Sequence, residues 1–167
     1  AGWEVVPTAR RPDDVERLRA DGFHPLPVEL ADPNSVAAAA ADALQRFGGQ
    51  LGAVVNNARA GQPGAVEDLS REALRFQFEV NVFGLHDLTR RLIPAFRRQG
   101  YGRIVNVSSV LGRIALPFMG AYSASKFAVE ALSDCLRVEL FGTGIGVSII
   151  EPGPIDTAFG VNAETLG

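Results

Sequence analysis

Lys126 is the only lysine among 167 residues, and it stands four residues after Tyr122, one of two tyrosines. Fifteen arginines carry the rest of the positive charge. On a helix, residues i and i+4 share a face one turn apart. An ammonium held beside a phenol favours the phenolate and lowers a pKa that is otherwise about 10. A phenol so tuned can move protons near neutral pH. Arginine could supply the charge, but lysine adds a compact three-donor head that can also bond ligand hydroxyls.

The surrounding pattern predicts the elements that carry this pair. Residues 3–9 (WEVVPTA) read as a strand, and Pro7 puts it at an edge or an end. A short helix is expected over 13–20. A second strand over 23–30 is interrupted by Pro25 and Pro27. Asp32-Pro33 reads as an N-cap followed by proline at the first helical position. The alanine-rich helix behind it is stopped by Gly48-Gly49. Further strands are expected over 51–57, 103–108 and 147–150. Long helices are expected from Ser70 to about Gln99, with Asn81 in mid-helix, and over 121–141, with Ala128, Leu132, Cys135 and Leu136 inward. Strands alternating with helices imply a parallel sheet covered on both faces. Ligands then bind at the carboxyl ends of the strands. These ends are Arg10, Asn56-Asn57, Ser108-Ser109 and Glu151-Pro152-Gly153.

Bulk properties exclude several classes. The length suits one domain with its own core. Net charge is −3 with no basic block, which argues against nucleic acid. No apolar run is long enough to span a bilayer and no signal peptide is visible, so the expected location is the cytoplasm. A single cysteine, Cys135, builds neither a disulfide nor a cysteine metal site. His24 and His86 are far apart and suggest no metal.

Six segments in order carry a family resemblance: TARR at 8–11, NNA at 56–58, NVFG at 81–84, IVNVSS at 104–109, YSASK at 122–126 and EPGPIDT at 151–157. The chain resembles the short-chain dehydrogenase/reductases over essentially its whole length, and most closely their hydroxysteroid and retinol dehydrogenase subgroup. The resemblance implies one Rossmann-like domain over 1–167: an α/β, doubly wound parallel sheet. It implies an oxidoreductase that interconverts a carbonyl and a secondary alcohol using NADP(H), with NAD(H) as the alternative cofactor. Tyr122 is the implied general acid/base. Lys126 is implied to lower its pKa and to bond the nicotinamide ribose. Ser109, thirteen residues before Tyr122, polarises the carbonyl in the manner of an oxyanion hole, with Ser108 the competing choice. Asn81 holds a water in the relay to Lys126. Arg10 and Arg11 take the place where an acidic residue selects NAD and an arginine accommodates the 2′-phosphate of NADP. Glu29 and Leu30 fall near the adenine, and Asn56 and Ala58 beside the adenosine ribose. Pro152 and Gly153 are implied to shape a loop against the nicotinamide face, and Ile155 and Thr157 to hold the carboxamide. Leu111, Phe118, Met119 and Phe159 give the substrate pocket apolar walls, which suits a small hydrophobic alcohol or ketone. Homo-oligomers are expected through helices 70–99 and 121–141.

Two departures favour a second reading, a non-catalytic relative or fragment serving as a dimerisation or regulatory scaffold. Arg59 replaces the glycine of the family's Asn-Asn-Ala-Gly turn. No T-G-x-x-x-G-x-G segment, the turn that presents pyrophosphate to a helix N-terminus, occurs in the 167 residues. The expectation is a piece of a longer chain whose sheet has a gap beside the first visible strand and two edges without ladder partners.

Overall fold

Local sequence signals set the element boundaries in the computed structural model, which describes residues 2–154. Strand β1 (Thr8–Ala9) leads through Arg11 into helix α1 (Pro12–Ala20). Asp13 and Asp14 in its first turn and Arg17 and Arg19 in its last complement the helix dipole. Strand β2 (Leu26–Pro27) precedes α2 (Pro33–Arg46), whose Asp32 cap accepts from the Asn34 amide at 2.9 Å. Strand β3 (Ala53–Asn56) is followed by a long loop with one 3₁₀ turn at Val66–Asp68. Ser70 then caps α3 (Arg71–Phe78), its hydroxyl accepting from the Ala73 amide at 3.1 Å. Helix α4 (Leu85–Gln99), strand β4 (Gly102–Val107), helix α5 (Gly120–Glu139) and strand β5 (Ile145–Ile150) complete the order.

All strand pairs are parallel, as the alternating pattern requires, but the strands form two sheets. One has the order β1-β2 and the other β3-β4-β5. The main core lies between the larger sheet and its helices, around Phe96, Ile104, Leu140 and Val147. A smaller cluster of Leu26, Val28 and Ala39 serves the β1-β2 pair. Helix α2 spans both, with Ala39 in one cluster and its neighbour Ala40 in the other. Between β1 and β3 lies a cleft of about 1080 Å³, apolar in its depth and polar at the strand ends.

The structure corrects four sequence expectations. The strands expected over 3–9 and 23–30 shrink to two residues each. Pro7 and Pro27 have no N–H to give a ladder, and among the described residues β1 pairs with β2 alone. The single helix expected from Ser70 to Gln99 is interrupted by a π-helical turn at Glu79–Gly84. Gly84 within that turn is pressed against the loop after β2: a Cβ there would lie 2.3 Å from the Leu30 carbonyl oxygen. Finally, Leu132 and Cys135 of α5 are exposed rather than inward. The buried residues of α5 are Ala121, Tyr122, Ser123, Ser125, Lys126, Val129, Glu130 and Ser133. Among the described residues no helix is long and apolar enough to cross a membrane.

The divided sheet leaves a measurable signature. The Gly52 carbonyl accepts from the Arg103 amide. Residues alternate sides along a strand, so 52, 54 and 56 face β4 while Ala53 and Val55 turn their amides to the cleft. By the same alternation Pro7 and Ala9 bond β2 and Thr8 faces the cleft. Amide hydrogen exchange of the 167-residue chain should therefore be fast at Thr8, Ala53 and Val55 and slow at Val54 and Asn56. Uniform protection along β3 would contradict two separate sheets.

Candidate active site

Helix α5 delivers Tyr122 and Lys126 to the carboxyl end of β4, and both are buried. The Lys126 ammonium donates to the Val107 carbonyl at 2.8 Å, and Nζ stands 5.7 Å from the centroid of the Tyr122 ring. Ser109 follows β4 at the start of a 3₁₀ turn over Val110–Gly112. Its hydroxyl accepts from the Leu111 amide at 3.1 Å and hydrogen-bonds the Tyr122 phenol. A serine hydroxyl has one donor and two acceptor positions, so both bonds are compatible. A reacting oxygen placed against Ser109 is therefore also against Tyr122, with Leu111 beside it in the turn.

Asn81 lies in the π turn, where the widened backbone turns its amide toward the loop after β3. Its Oδ1 accepts from the Ala60 amide at 2.8 Å. Its Nδ2 donates to the Ala60 carbonyl at 3.0 Å and to the Ser125 hydroxyl at 3.0 Å. Ser125 in turn donates to the Tyr122 carbonyl at 2.7 Å. Asn81 thus fastens the β3 loop to α5, one residue before Lys126. Gln77 reinforces the clamp, donating to the Ala60 carbonyl at 2.8 Å and accepting from the Gln62 amide at 2.8 Å. Sequence reasoning missed Gln77 and Ser125. An available signal was the polar residue one turn before Asn81, on the buried side of an amphipathic helix.

The titrations differ from the simple expectation that Lys126 drives the phenol pKa down. Burial is the largest cause at Tyr122 and holds its pKa above 10.0, while the Ser109 hydrogen bond and the Arg59 charge pull it back. At Lys126, burial first and then Arg59 push the pKa down from 10.5 to about 8, with Glu130 opposing. The ammonium bonds a neutral carbonyl, which compensates its desolvation only in part.

The expected cofactor residues fall into groups. Arg10, Arg11, Glu29, Leu30, Asn56 and Ala58 line the cleft between β1 and β3. Arg10 Nε lies 3.9 Å from Glu29 Oε2, and Glu29 also accepts from the Ala31 amide and donates its own amide to Ser35. Asn56 directs its side chain inward, its Nδ2 donating to Thr89 at 3.0 Å and Asn106 at 2.8 Å. Its amide therefore joins β3 to β4 and α4 instead of pointing into open space. Pro152 and Gly153 sit at the end of β5 beside the serine turn, where the Val110 amide donates to the Pro152 carbonyl at 3.0 Å. Ile155, Thr157 and Phe159 lie outside the described residues. Arg59 joins the two groups: it lines the cleft, and its charge acts on Tyr122 and Lys126. His24 and His86 are both exposed.

Comparison with known proteins points the same way. A family model described as short chain dehydrogenase matches residues 1–165. The uncharacterized oxidoreductase YbbO of Escherichia coli (strain K12) is 47% identical over 163 residues, covering 98% of this chain and 61% of that protein. A solved short-chain dehydrogenase from Streptomyces avermitilis superimposes with a TM-score of 0.87 at 40% identity, covering 93% of this chain and 59% of that one. A 3-ketoacyl-(acyl-carrier-protein) reductase from Brucella melitensis, solved with NADH, gives a TM-score of 0.90 at 28% identity, covering 96% of this chain and 69% of that one. The chain thus spans about three fifths of the length of the curated relative.

The depressed lysine fixes a stability trend. Between about pH 8 and 10.5 the unfolded chain holds a proton at Lys126 that the folded chain lacks, so stability rises with pH there. Tyr122, raised when folded, acts in the opposite direction only above its unfolded value of 10.0. Urea denaturation should show stability increasing by about 1–2 kcal/mol from pH 8 to roughly 9.5. Lys126→Met should remove that increase; a rise of the same size in the variant would place its source elsewhere.

Proposed function

The chain belongs to the short-chain dehydrogenase family, and on that premise we propose that the protein carrying it interconverts a carbonyl and a secondary alcohol with NADP(H). The observation that carries this reading is the Ser109–Tyr122 hydrogen bond beside the buried Lys126. It sets two hydroxyls at one point, which is what a carbonyl oxygen gaining negative charge requires.

In the reductive direction Ser109 donates to the substrate oxygen as charge builds on it, and Tyr122 gives up its phenolic proton to that oxygen. The resulting phenolate is stabilised by the Ser109 hydrogen bond and the Arg59 charge, with the Lys126 ammonium 5.7 Å from the ring centroid. In the oxidative direction the same phenolate takes the alcohol proton. When bound, the nicotinamide dinucleotide supplies or accepts the hydride. Burial of Tyr122 and Lys126 keeps water from competing for the proton. Leu111 after Ser109, with Phe118 and Met119 in the loop before α5, gives this side of the site an apolar surface suited to a hydrophobic alcohol or ketone.

The polar end of the cleft, at the carboxyl ends of β1 and β3, suits a dinucleotide, because that is the binding edge of a parallel α/β sheet. Its mouth carries Arg10, Arg11 and Arg59, which suit phosphate groups. β1 ends without an acidic residue, Arg10 and Arg11 following Ala9 directly, which supports NADP(H) over NAD(H). Self-association through helices 70–99 and 121–141 is supported by the exposure of Leu74, Phe83, Phe127, Leu132 and Val138 there.

Two measurements test the reading. Tyr122→Phe, in the protein that carries the chain, should lower turnover about a thousandfold while leaving the cofactor dissociation constant unchanged. Turnover kept at the original rate would sink the assignment. Replacing Arg10 and Arg11 together by alanine should weaken NADPH about tenfold or more relative to NADH. Equal loss for both cofactors would remove the case for NADP preference.

A further inference from the structure

Glu130 stands one turn beyond Lys126 on α5, as Lys126 stands one turn beyond Tyr122. It is 3% exposed. A carboxylate at this depth is costly unless it is paired. The charge nearest to it from outside α5 is Arg113, whose Nη2 lies 3.0 Å from Glu130 Oε2. The aligned hydrogen bonds of that guanidinium go elsewhere: Nε and Nη2 donate to Glu151 Oε1 at 3.1 and 3.0 Å. Among the described residues neither Glu130 oxygen has an aligned hydrogen bond. The Arg113 contact is therefore Coulombic, and the carboxylate keeps acceptor capacity.

Facing it is a second orphan. The Ser108 hydroxyl is also buried and without a partner among the described residues. Gly112 marks where the two groups meet. A Cβ on Gly112 would lie 2.6 Å from Ser108 Oγ and 3.1 Å from Glu130 Oε1. Only a residue without a side chain leaves this space to a hydroxyl and a carboxylate. Ser108 directly follows Val107, whose carbonyl receives the Lys126 ammonium. Consecutive residues of one strand end thus present a carbonyl to the lysine and a hydroxyl to the glutamate.

We propose that Glu130 is a positioning residue for Lys126: a buried carboxylate one helical turn away on the same face of α5, 3.0 Å from Arg113, that serves as counter-charge to the ammonium. The other groups facing Lys126 do not do this. Val107 of β4 offers a neutral carbonyl. Arg59 of the β3 loop disfavours a second positive charge. Tyr122 on α5 presents its ring at 5.7 Å, and Asn81 in the π turn is engaged with Ala60 and Ser125. Of the charges acting on Lys126, Glu130 raises its proton affinity, against burial and Arg59. The catalytic consequence rests on the proton-transfer reading above: without Glu130, the cation near the phenol would be lost toward neutral pH. The residue arrangement itself does not depend on that reading.

Lys126 is the only lysine, which makes a direct test possible. The 167-residue chain grown with lysine carrying ¹³C at Cε gives one side-chain resonance to titrate by NMR. Glu130→Gln conserves volume and removes the charge. It should move the Lys126 midpoint down by about one pH unit from the original chain. Glu130→Ala, which removes the carboxylate altogether, should move it down as well. An unchanged midpoint in Glu130→Gln, with its spectrum still folded, overturns the proposal. Should Glu130→Gln unfold, Glu130→Ala decides alone, and an unchanged midpoint there overturns the proposal. The readout needs no cofactor and no turnover, so failure here is distinct from failure of the proposed activity. In the protein that carries the chain, Glu130→Gln should also displace the pH profile of turnover, an effect that loss of packing alone does not produce.

Discussion

Burying one ammonium at the end of β4 is the constraint around which the rest is arranged. Lys126 falls from 10.5 to about 8, a drop of about 2.5 units, or about 3 kcal/mol at 1.36 kcal/mol per unit. A single neutral carbonyl does not offset that cost. The neighbouring groups follow from this one requirement. Four consecutive residues at the strand end each engage α5 at a different depth. Asn106 donates to Ser133 at 2.8 Å, Val107 accepts from Lys126, Ser108 shares the space over Gly112 with Glu130, and Ser109 bonds Tyr122. The face of α5 toward the sheet is polar because the strand it covers ends in polar groups. The parallel pairing of β4 with β5, continued by the Ser108 amide donating to the Ile150 carbonyl at 2.8 Å, keeps those groups in register.

A second anchor works at right angles to the first. The π turn spends one helical turn on unusual geometry, and such turns recur at functional sites. Its return is a set of hydrogen bonds on one peptide: Asn81 engages both the N–H and the carbonyl of Ala60, and Gln77 shares the carbonyl. A buried peptide group left without partners would cost about 1–3 kcal/mol per group, so the clamp is worth more than its count of bonds. Because Asn81 also holds Ser125, the β3 loop cannot shift without moving α5. Arg59, adjacent to the clamped residue, is thereby held where its charge reaches both Tyr122 and Lys126.

Much of the fold was legible in the sequence where a local physical signal was strong. Asp32-Pro33 and Ser70 start helices as read, because a capping side chain and a fixed proline φ act within three residues. The parallel pairing of β3, β4 and β5 follows from the strand–helix alternation. The failures share a cause. The π turn adds one residue to a single turn, and Phe76, Val80 and Phe83 keep a nearly helical spacing through it, so periodicity does not register the change. On α5 apolar character does not mark the inward face. There the inward positions go to Ser125, Ser133 and charged groups, while Phe127, Leu132 and Val138 face outward. Hydrophobicity then marks a surface suited to association and not the core. Of the residues suggested for chemistry, Tyr122, Lys126, Ser109 and Asn81 are joined through one hydrogen-bonded region by β4, α5 and the π turn. Gln77, Ser125 and Glu130 complete that region, and no motif flags them because their role is to hold other residues.

The divided sheet separates two kinds of stability within one chain. Every element that positions Tyr122, Lys126, Ser109 and Asn81 belongs to the β3-β4-β5 sheet and the helices packed on it. The small β1-β2 sheet contributes Arg10, Arg11 and Glu29 and is tied to the larger one chiefly through α2. Two-stranded pairs are marginal by themselves, whereas three paired strands with covered faces are not. The proton-transfer cluster therefore does not need the small sheet to keep its geometry. The cleft residues do, because their spacing across about 1080 Å³ is set by how the two sheets stand apart. Anything that fills the depth of the cleft with apolar surface and pairs with the inner edges of β1 and β3 would fix that spacing and leave the proton-transfer cluster as it is.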